Sequence, residues 1–284
     1  MPETNLTVTG DFAKAQSIDF VNQFSGGLTK LMELLGITRR TPMANGSLIK
    51  TYKSTTTLAD GSVAEGETIP LSKAGSVLAA TYELTFQKYR RAVSAEAIQR
   101  HGFDQAVTDA DRKLLREIQS KIRRQLVAFL GTGTSTASGT GLQAAVANAW
   151  GKLQVLFEDD SAGDPIMIVH PMDVSDYIGS ASITTQNAFG MQYFKAFTNV
   201  SMLTNSNVPQ GTFYATVADN LNIAYPTISG GELGKAFSFT TDETGLVGIT
   251  HTPKTDNLTY ETTILTGPTI FAERLDGVVV GTIE

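Results

Sequence analysis

Between Asp104 and Leu130, apolar residues return every three or four positions, at Val107, Ala110, Leu114, Ile118, Ile122, Leu126 and Phe129. That spacing holds them on one face of a helix of 3.6 residues per turn and leaves charged residues on the other. Asp104, Asp109 and Asp111 stand in the first turns and Arg123 and Arg124 in a late one, the order that complements the helix dipole. Glu117 and Lys121 form an i,i+4 pair in the better orientation. Gly102 and Gly131 flank the pattern, where a helix can break. The prediction is one helix roughly 40 Å long, too charged to span a membrane, around which the chain is organised.

The stretch before it alternates instead. Ser47 to Ser54 sets Leu48, Lys50 and Tyr52 against Ile49, Thr51 and Lys53, and Tyr82 to Gln87 repeats the period of two. Between them Thr55 to Ala80 holds almost no large apolar residue, and Asn45-Gly46 and Asp60-Gly61 are turn signals. Two strands joined by so long a polar excursion are uncommon inside a compact domain. A projecting hairpin that rests on another subunit fits the pattern, and so does a mobile surface loop. Residues 1 to about 25 are weakly patterned, with Phe12, Ile18, Phe20, Val21 and Phe24 as anchors. They read as an extended arm that buries on a neighbour, followed by a short helix from Leu28 to Leu35 that ends at Gly36. Ser94 to Ala97 opens another short helix.

After Leu130, the run from Gly131 to Gln143 has four glycines in thirteen positions. A phosphate-binding loop needs a lysine there and a strand before it. No lysine follows until Lys152 and a helix precedes, so the run reads as a flexible connector. A helix is predicted from Leu142 to Phe157. Ile166 to Val169 is an apolar strand of the kind buried on both faces, and Pro171 to Ile178 a short helix. Phe189 to Val208 is loop and strand. Strands follow at Thr212 to Ala218 and Asn222 to Ser229, then at Phe237 to Thr240, Leu258 to Leu265 and Phe271 to Ile283. The fold class is α+β, with the long helix covering antiparallel strands and about 142–225 forming a separate lobe.

Composition adds mostly exclusions. A chain of 284 residues with 41% hydrophobic and 18% charged residues can bury a sizeable core. The net charge of −6 advertises no basic bulk for nucleic acid or acidic membranes. Cysteine is absent, which removes disulfides and thiol chemistry. No apolar run approaches a membrane span, and the first residues lack a signal pattern, so the protein is expected to be soluble when made.

The search for chemistry finds little. His101, His170 and His251 are isolated from metal-ligand spacing, and Gly-x-Ser-x-Gly is absent. Asp159, Asp160 and Asp164 lack the rhythm of a calcium loop and read as a solvated turn. Glu65 and Glu67 could pair as acid and base, but nothing in the polar excursion would tune them, so they read as contact charges. The glycosylation sequons at Asn5, Asn45, Asn199 and Asn257 are chance matches in a chain without a secretory signal. No catalytic residue, cofactor site or metal ligand is assigned.

The order of these parts resembles a family. A hairpin precedes Ser94-x-Glu96 and the long helix; a Gly-rich connector runs into Gly141-Leu142; the strand Ile166–Val169 ends in His170-Pro171; strands close the chain. This is similar to the major capsid protein of tailed double-stranded DNA bacteriophages, the HK97-like fold, over about Asn45 to Glu284. The resemblance implies an N-terminal arm at 1–27 and an extended loop at 45–92, whose residues 51–81 lie over a neighbouring subunit. It further implies a peripheral domain at 93–141 and 226–284 with its spine helix at 104–130, and an axial domain at 142–225. Its implied role is non-enzymatic: self-assembly as pentamers and hexamers into an icosahedral shell. The implied partners are other copies, a portal, and packaged double-stranded DNA held without sequence-specific binding. About 25 residues precede Gly26, where some members carry a long scaffolding segment, so a separate scaffolding protein, or none, is implied. The implied location is the virion, after assembly in the host bacterial cytoplasm. Candidate inter-subunit contacts are Lys53, Asp60, Glu65, Glu67 and Lys73, setting register more than affinity. Crosslinking through Lys53 or Lys73 is not predicted, because no partner asparagine or catalytic glutamate can be assigned. An encapsulin-like compartment shell is the alternative. An enzyme would need a pocket the sequence does not suggest, and the long helix counts against a tail-tube protein.

Overall fold

The computed structural model describes residues 9–34, 39–158, 163–180, 186–188, 191–195, 200–228, 231–241 and 245–284. Asn5, Leu35, Gly36, Asp159, Asp160, Phe189 and Asn199, which figure in the sequence reading, lie outside them. The chain begins with α1 (Thr9–Leu34), β1 (Arg40–Met43), β2 (Leu48–Thr57), β3 (Lys73–Glu83) and β4 (Gln87–Ser94). Next come α2 (Ala95–His101), α3 (Phe103–Leu130), β5 (Ser135–Gly139), α4 (Gly141–Leu156), β6 (Pro165–Val169) and α5 (Pro171–Ser180). Strands β7 (Gln186–Ala188), β8 (Met191–Lys195), β9 (Ser201–Thr204), β10 (Thr212–Val217) and β11 (Leu221–Pro226) precede α6 (Gly231–Ala236). The chain closes with β12 (Thr240–Thr241), β13 (Gly248–Lys254), β14 (Thr259–Thr266), β15 (Thr269–Ala272) and β16 (Val279–Ile283).

The long helix is present as α3, 28 residues. Its buried face carries Val107, Ala110, Ile118, Ile122 and Leu126 as the spacing predicts, joined by Asp111, Leu115, Val127 and Leu130. Leu114 and Phe129 pack at its margin. Gly102, at φ +81, separates it from α2 in a conformation that only glycine adopts freely. At the other end of α2, the Ser94 hydroxyl accepts a hydrogen bond from the Ala97 amide at 3.3 Å. The four-stranded sheet β12-β13-β14-β4 lies against α3, and Ile249 and Ile264 share a core with Ile118, Ile122 and Leu126.

The expected extended arm is instead a helix. Residues Thr9–Leu34 form one 26-residue element, and Phe20, Val21, Phe24, Leu28, Leu31 and Met32 are buried in the same core as α3. Phe20, Phe24, Leu28 and Leu31 are spaced four, four and three apart, so one helical stripe runs straight through Gly26-Gly27. Two glycines cost about 1 kcal/mol each in a helix, and burying those large side chains outweighs that. Replacing Phe24 with Ala is therefore expected to cost about 3–5 kcal/mol. Urea unfolding monitored by circular dichroism measures this; a change below about 1 kcal/mol would mean that α1 is dispensable to the core.

The Gly-rich connector also departs from expectation. Ser135–Gly139 is strand β5, parallel to β16 along Val279–Ile283. A Cβ on Gly139 would come within 2.5 Å of the Ala145 amide nitrogen, so this glycine permits close helix–strand approach rather than flexibility. The strand lies at the edge of a seven-stranded sheet ordered β5-β16-β10-β6-β9-β8-β7. Lys152 and Asn148 on α4 donate to the carbonyls of Thr136 and Ser138 at 2.7 and 2.8 Å, which blunts that edge.

Strand β6 runs between antiparallel β10 and parallel β9, and all five of its residues are buried, as an apolar mid-sheet strand should be. Under α4, Leu142, Val146 and Leu153 pack on Met167, Val169, Phe213 and Val279 in a second core. The final strand thus returns to the sheet of the lobe expected at 142–225, while β11 leaves it to pair with β1 and β15. The strand expected from Phe237 to Thr240 is reduced to Thr240–Thr241.

Candidate functional site

One element stands apart from both cores. Strands β2 and β3 pair antiparallel from Leu48↔Glu83 to Thr57↔Lys73, with a register shift between Thr51 and Tyr52, and form a two-stranded sheet of their own. Ten residues in extended conformation reach roughly 30 Å. Threonine, tyrosine and valine suit a pleated ribbon, which is why so polar a stretch still forms strands.

Among the described residues, the ribbon is held to the body at its root and through Lys53. Leu84 is fully buried. The Asn45 side-chain oxygen accepts from the Phe86 amide at 2.8 Å, and the Gly46 amide donates to the Leu84 carbonyl at 2.8 Å. The Tyr82 ring lies edge-on to Phe129 and 5.7 Å from Phe271. Lys53 Nζ reaches Asp276 Oδ2 at 3.0 Å. Residues directly across from each other share a face. Lys53 and Tyr82 therefore mark the face turned toward the body, and Tyr52 and its cross-strand neighbour Leu78 mark the outer one, both exposed.

Beyond Lys53 the ribbon is exposed. At its tip Leu58, Ile69 and Leu71 are 80, 69 and 95% exposed. A lone two-stranded hairpin is marginal in water, and several large apolar side chains gathered on one marks a surface that something covers. Residues 55–80 hold few large apolar residues, and the signal lies in those few, Leu58, Ile69 and Leu71 among them, which have no core within reach.

The contact candidates divide into three groups. Lys53 sits midway along β2, engaged with Asp276 of its own chain. Asp60 and Glu67 shape the tip: their carboxylates accept from the Ser62 amide at 2.9 Å and the Ala64 amide at 3.2 Å. Glu65 is exposed in the turn of the tip and Lys73 where β3 begins. Burial pushes the Asp276 carboxyl up, but hydrogen bonds from Lys53 and Arg274, and their charges, outweigh it and hold the group below its ordinary range. Because the folded value is depressed, its stabilisation is complete above the ordinary carboxylate range and drains away as pH falls through the depressed one. Asp276→Asn is expected to cost about 1 kcal/mol or less near neutral pH, since Lys53 is mostly exposed. The difference from the parent should vanish in acid; a pH-independent difference in urea midpoints would refute the linkage.

The three histidines lie apart from one another and from the ribbon. His251 Nε2 lies 2.8 Å from Asp111 Oδ2 in the interior. His170 Nδ1 accepts from the Met172 amide at 3.2 Å, and His101 ends α2 on the surface. Among the described residues no three His, Asp or Glu side chains are grouped to hold a metal ion. No described helix is long and apolar enough to cross a membrane. A cleft of about 70 Å³ between α1 and α3, lined by Asp19, Phe20, Gln23, Asp111 and Arg112, is far smaller than ligand pockets of a few hundred Å³.

No family model and no curated protein matches the chain in sequence. Solved structures do match in shape. A virus-like particle from Pyrococcus furiosus superposes with TM-score 0.53 at 10% identity, over 96% of this chain and 100% of that one. The capsid of cyanophage P-SCSP1u gives 0.59 at 6%, over 87% and 86%. The holo-SrpI encapsulin complex from Synechococcus elongatus PCC 7942 gives 0.56 at 10%, over 88% and 86%.

Proposed function

We propose that this chain, which has the HK97-like α+β fold found in phage capsids and encapsulins, is a major capsid protein of a tailed double-stranded DNA bacteriophage. Copies join as pentamers and hexamers and close an icosahedral shell. The observation that carries the reading is the ribbon β2–β3, whose exposed apolar tip is covered by none of the described residues. In the shell, residues 51–81 lie over a neighbouring subunit. Glu65 and Lys73 set register there, and Leu58, Ile69 and Leu71 supply apolar area. Residues 93–141 and 226–284 form a peripheral domain on α3, and 142–225 form an axial domain completed by the returning β16. A shell needs many weak repeated contacts rather than a tuned site, so the role is structural and non-enzymatic. Assembly takes place in the host bacterial cytoplasm with a separate scaffolding protein and a portal, and the product is the virion wall around duplex DNA.

The test is assembled mass. One chain is 30.4 kDa, so a closed shell of at least sixty copies is roughly 1.8 MDa or more. Light scattering and negative-stain microscopy of the expressed chain should give closed particles or capsomer rings. A monomer that persists even with scaffolding protein present would overturn the reading. Recovered particles that hold a cargo protein in place of DNA would assign the chain to the encapsulin alternative.

A further inference from the structure

The outward face of α3 was read from sequence only as the polar side of an amphipathic helix. Between Arg112 and Arg124 it carries six cations and a single carboxylate, Glu117, on a chain whose net charge is −6. Arg112, Lys113, Arg116, Lys121 and Arg124 are exposed, and Arg123 is half-buried beside them. The opposite face of the same turns is sealed into the core by Leu115, Ile118 and Ile122, so these cations cannot turn inward.

Among the described residues, little neutralises the five exposed ones. Arg112 has a long 3.7 Å contact with Asp109, and Lys121 lies over the Tyr89 ring at 5.1 Å. Lys113, Arg116 and Arg124 make no hydrogen bond or ion pair among the described residues. Burial, and then the charge of Arg124, press the Arg123 guanidinium down from its ordinary value. Like charges crowded on one face cost energy until an anion spreads along them.

We infer that this face of α3, a straight rail of about 18 Å, is where the chain meets duplex DNA, through phosphates and without reading bases. Four of the six cations are arginines, whose planar fork suits phosphate oxygens. A helix lying along the backbone with point charges contacts phosphates and carries no sequence information. The obvious competing partner, the acidic hairpin tip of a second copy, is less suited, because Asp60 and Glu67 already accept backbone hydrogen bonds within that tip. The acidic remainder of the chain repels DNA, so the rail also fixes which side of the subunit faces inward. The inference rests on the shell reading for its context. Its test does not, because binding is measured on the purified chain whatever its assembly state.

The experiment is fluorescence anisotropy of two labelled duplexes of unrelated sequence, titrated with the chain at several salt concentrations. Both duplexes should bind alike, with a slope of log K against log salt of about −3, as three or four phosphate contacts require. Lys113→Glu with Arg116→Glu and Arg124→Glu should weaken binding at least about tenfold at low salt and flatten the slope, and the glutamine triple should fall between. A control with the same charge change elsewhere, Lys30→Glu with Arg40→Glu and Lys50→Glu on exposed positions, should keep most of the affinity. An equal loss in the control, or no binding by the parent chain at low salt, overturns the rail. Shells that form without duplex binding remove this inference and leave the shell reading standing. Binding through α3 by a chain that forms no shell does the reverse.

Discussion

A chain in which Leu58–Ser72 is replaced by a two-residue Asn-Gly turn is expected to stay folded and to lose shell closure. The removed segment contributes no side chain to either core; Leu58, Ile69 and Leu71 point into solvent. What remains of the ribbon keeps its ladder from Leu48↔Glu83 to Thr57↔Lys73, and Asn-Gly closes a tight hairpin at no strain. Thermal unfolding should therefore move by no more than a degree or two. In a shell the same segment would bury its apolar side chains on every neighbour, at about 1.5–3 kcal/mol each. Closed symmetry multiplies that term by the copy number. Light scattering should report single shortened chains or isolated rings where the parent, at 30.4 kDa per chain, gives particles. Leu71→Asp alone should raise the concentration needed for assembly without touching monomer stability. If the shortened chain still closes into shells, the ribbon is not the clasp and the contacts must be sought elsewhere.

Most of the architecture was legible wherever one period held without interruption. The spine stripe from Val107 to Leu126, the buried run Ile166–Val169 and the alternation at Leu258–Leu265 each matched the element found to within a residue or two. Two of the misreadings share a cause, which is glycine. Gly26-Gly27 broke the reading of α1 although Phe24, Leu28 and Leu31 continue one stripe across it. The glycines of Gly131–Gly141 suggested slack where Gly139 is a close-packing contact. In both places tertiary burial overrode local propensity, which is a weak prior. The hairpin was legible as an element, but its apolar tip was not, because exposure depends on where the cores lie. The return of β16 beside β5 is a non-local parallel pairing that no local pattern encodes.

Asp111 is the clearest case of a residue whose type misled while its position did not. It was assigned to the helix dipole as an acidic residue near the start of α3. Yet it stands four residues after Val107 and four before Leu115, squarely on the apolar stripe. The structure buries it against the sheet, where its two oxygens serve two strands. His251 Nε2 meets Oδ2 at 2.8 Å, and the Thr262 hydroxyl donates to Oδ1 at 2.9 Å. His251 and Thr262 are direct cross-strand partners on β13 and β14, so one carboxylate pins α3 in register across both. Tyr260 stacks on the imidazole at 5.8 Å, and Phe103 meets Tyr260 edge-on at 5.0 Å, which shields the network from water. Asp111→Ala is expected to cost about 3–5 kcal/mol, since it takes a buried acceptor from two groups at once. Asp111→Asn, which keeps the shape and an acceptor for Thr262, should cost clearly less. A second readout separates lost charge from lost packing. Burial first, and then the Asp111 charge, raise the Tyr260 hydroxyl above its ordinary range. Both variants should therefore let Tyr260 ionise at lower pH, while Thr262→Val, which keeps the carboxylate, should not. A cycle of Asp111→Ala with Thr262→Val should show coupling of at least about 0.5 kcal/mol. Strict additivity would mean that the helix is held to the sheet by its apolar stripe alone.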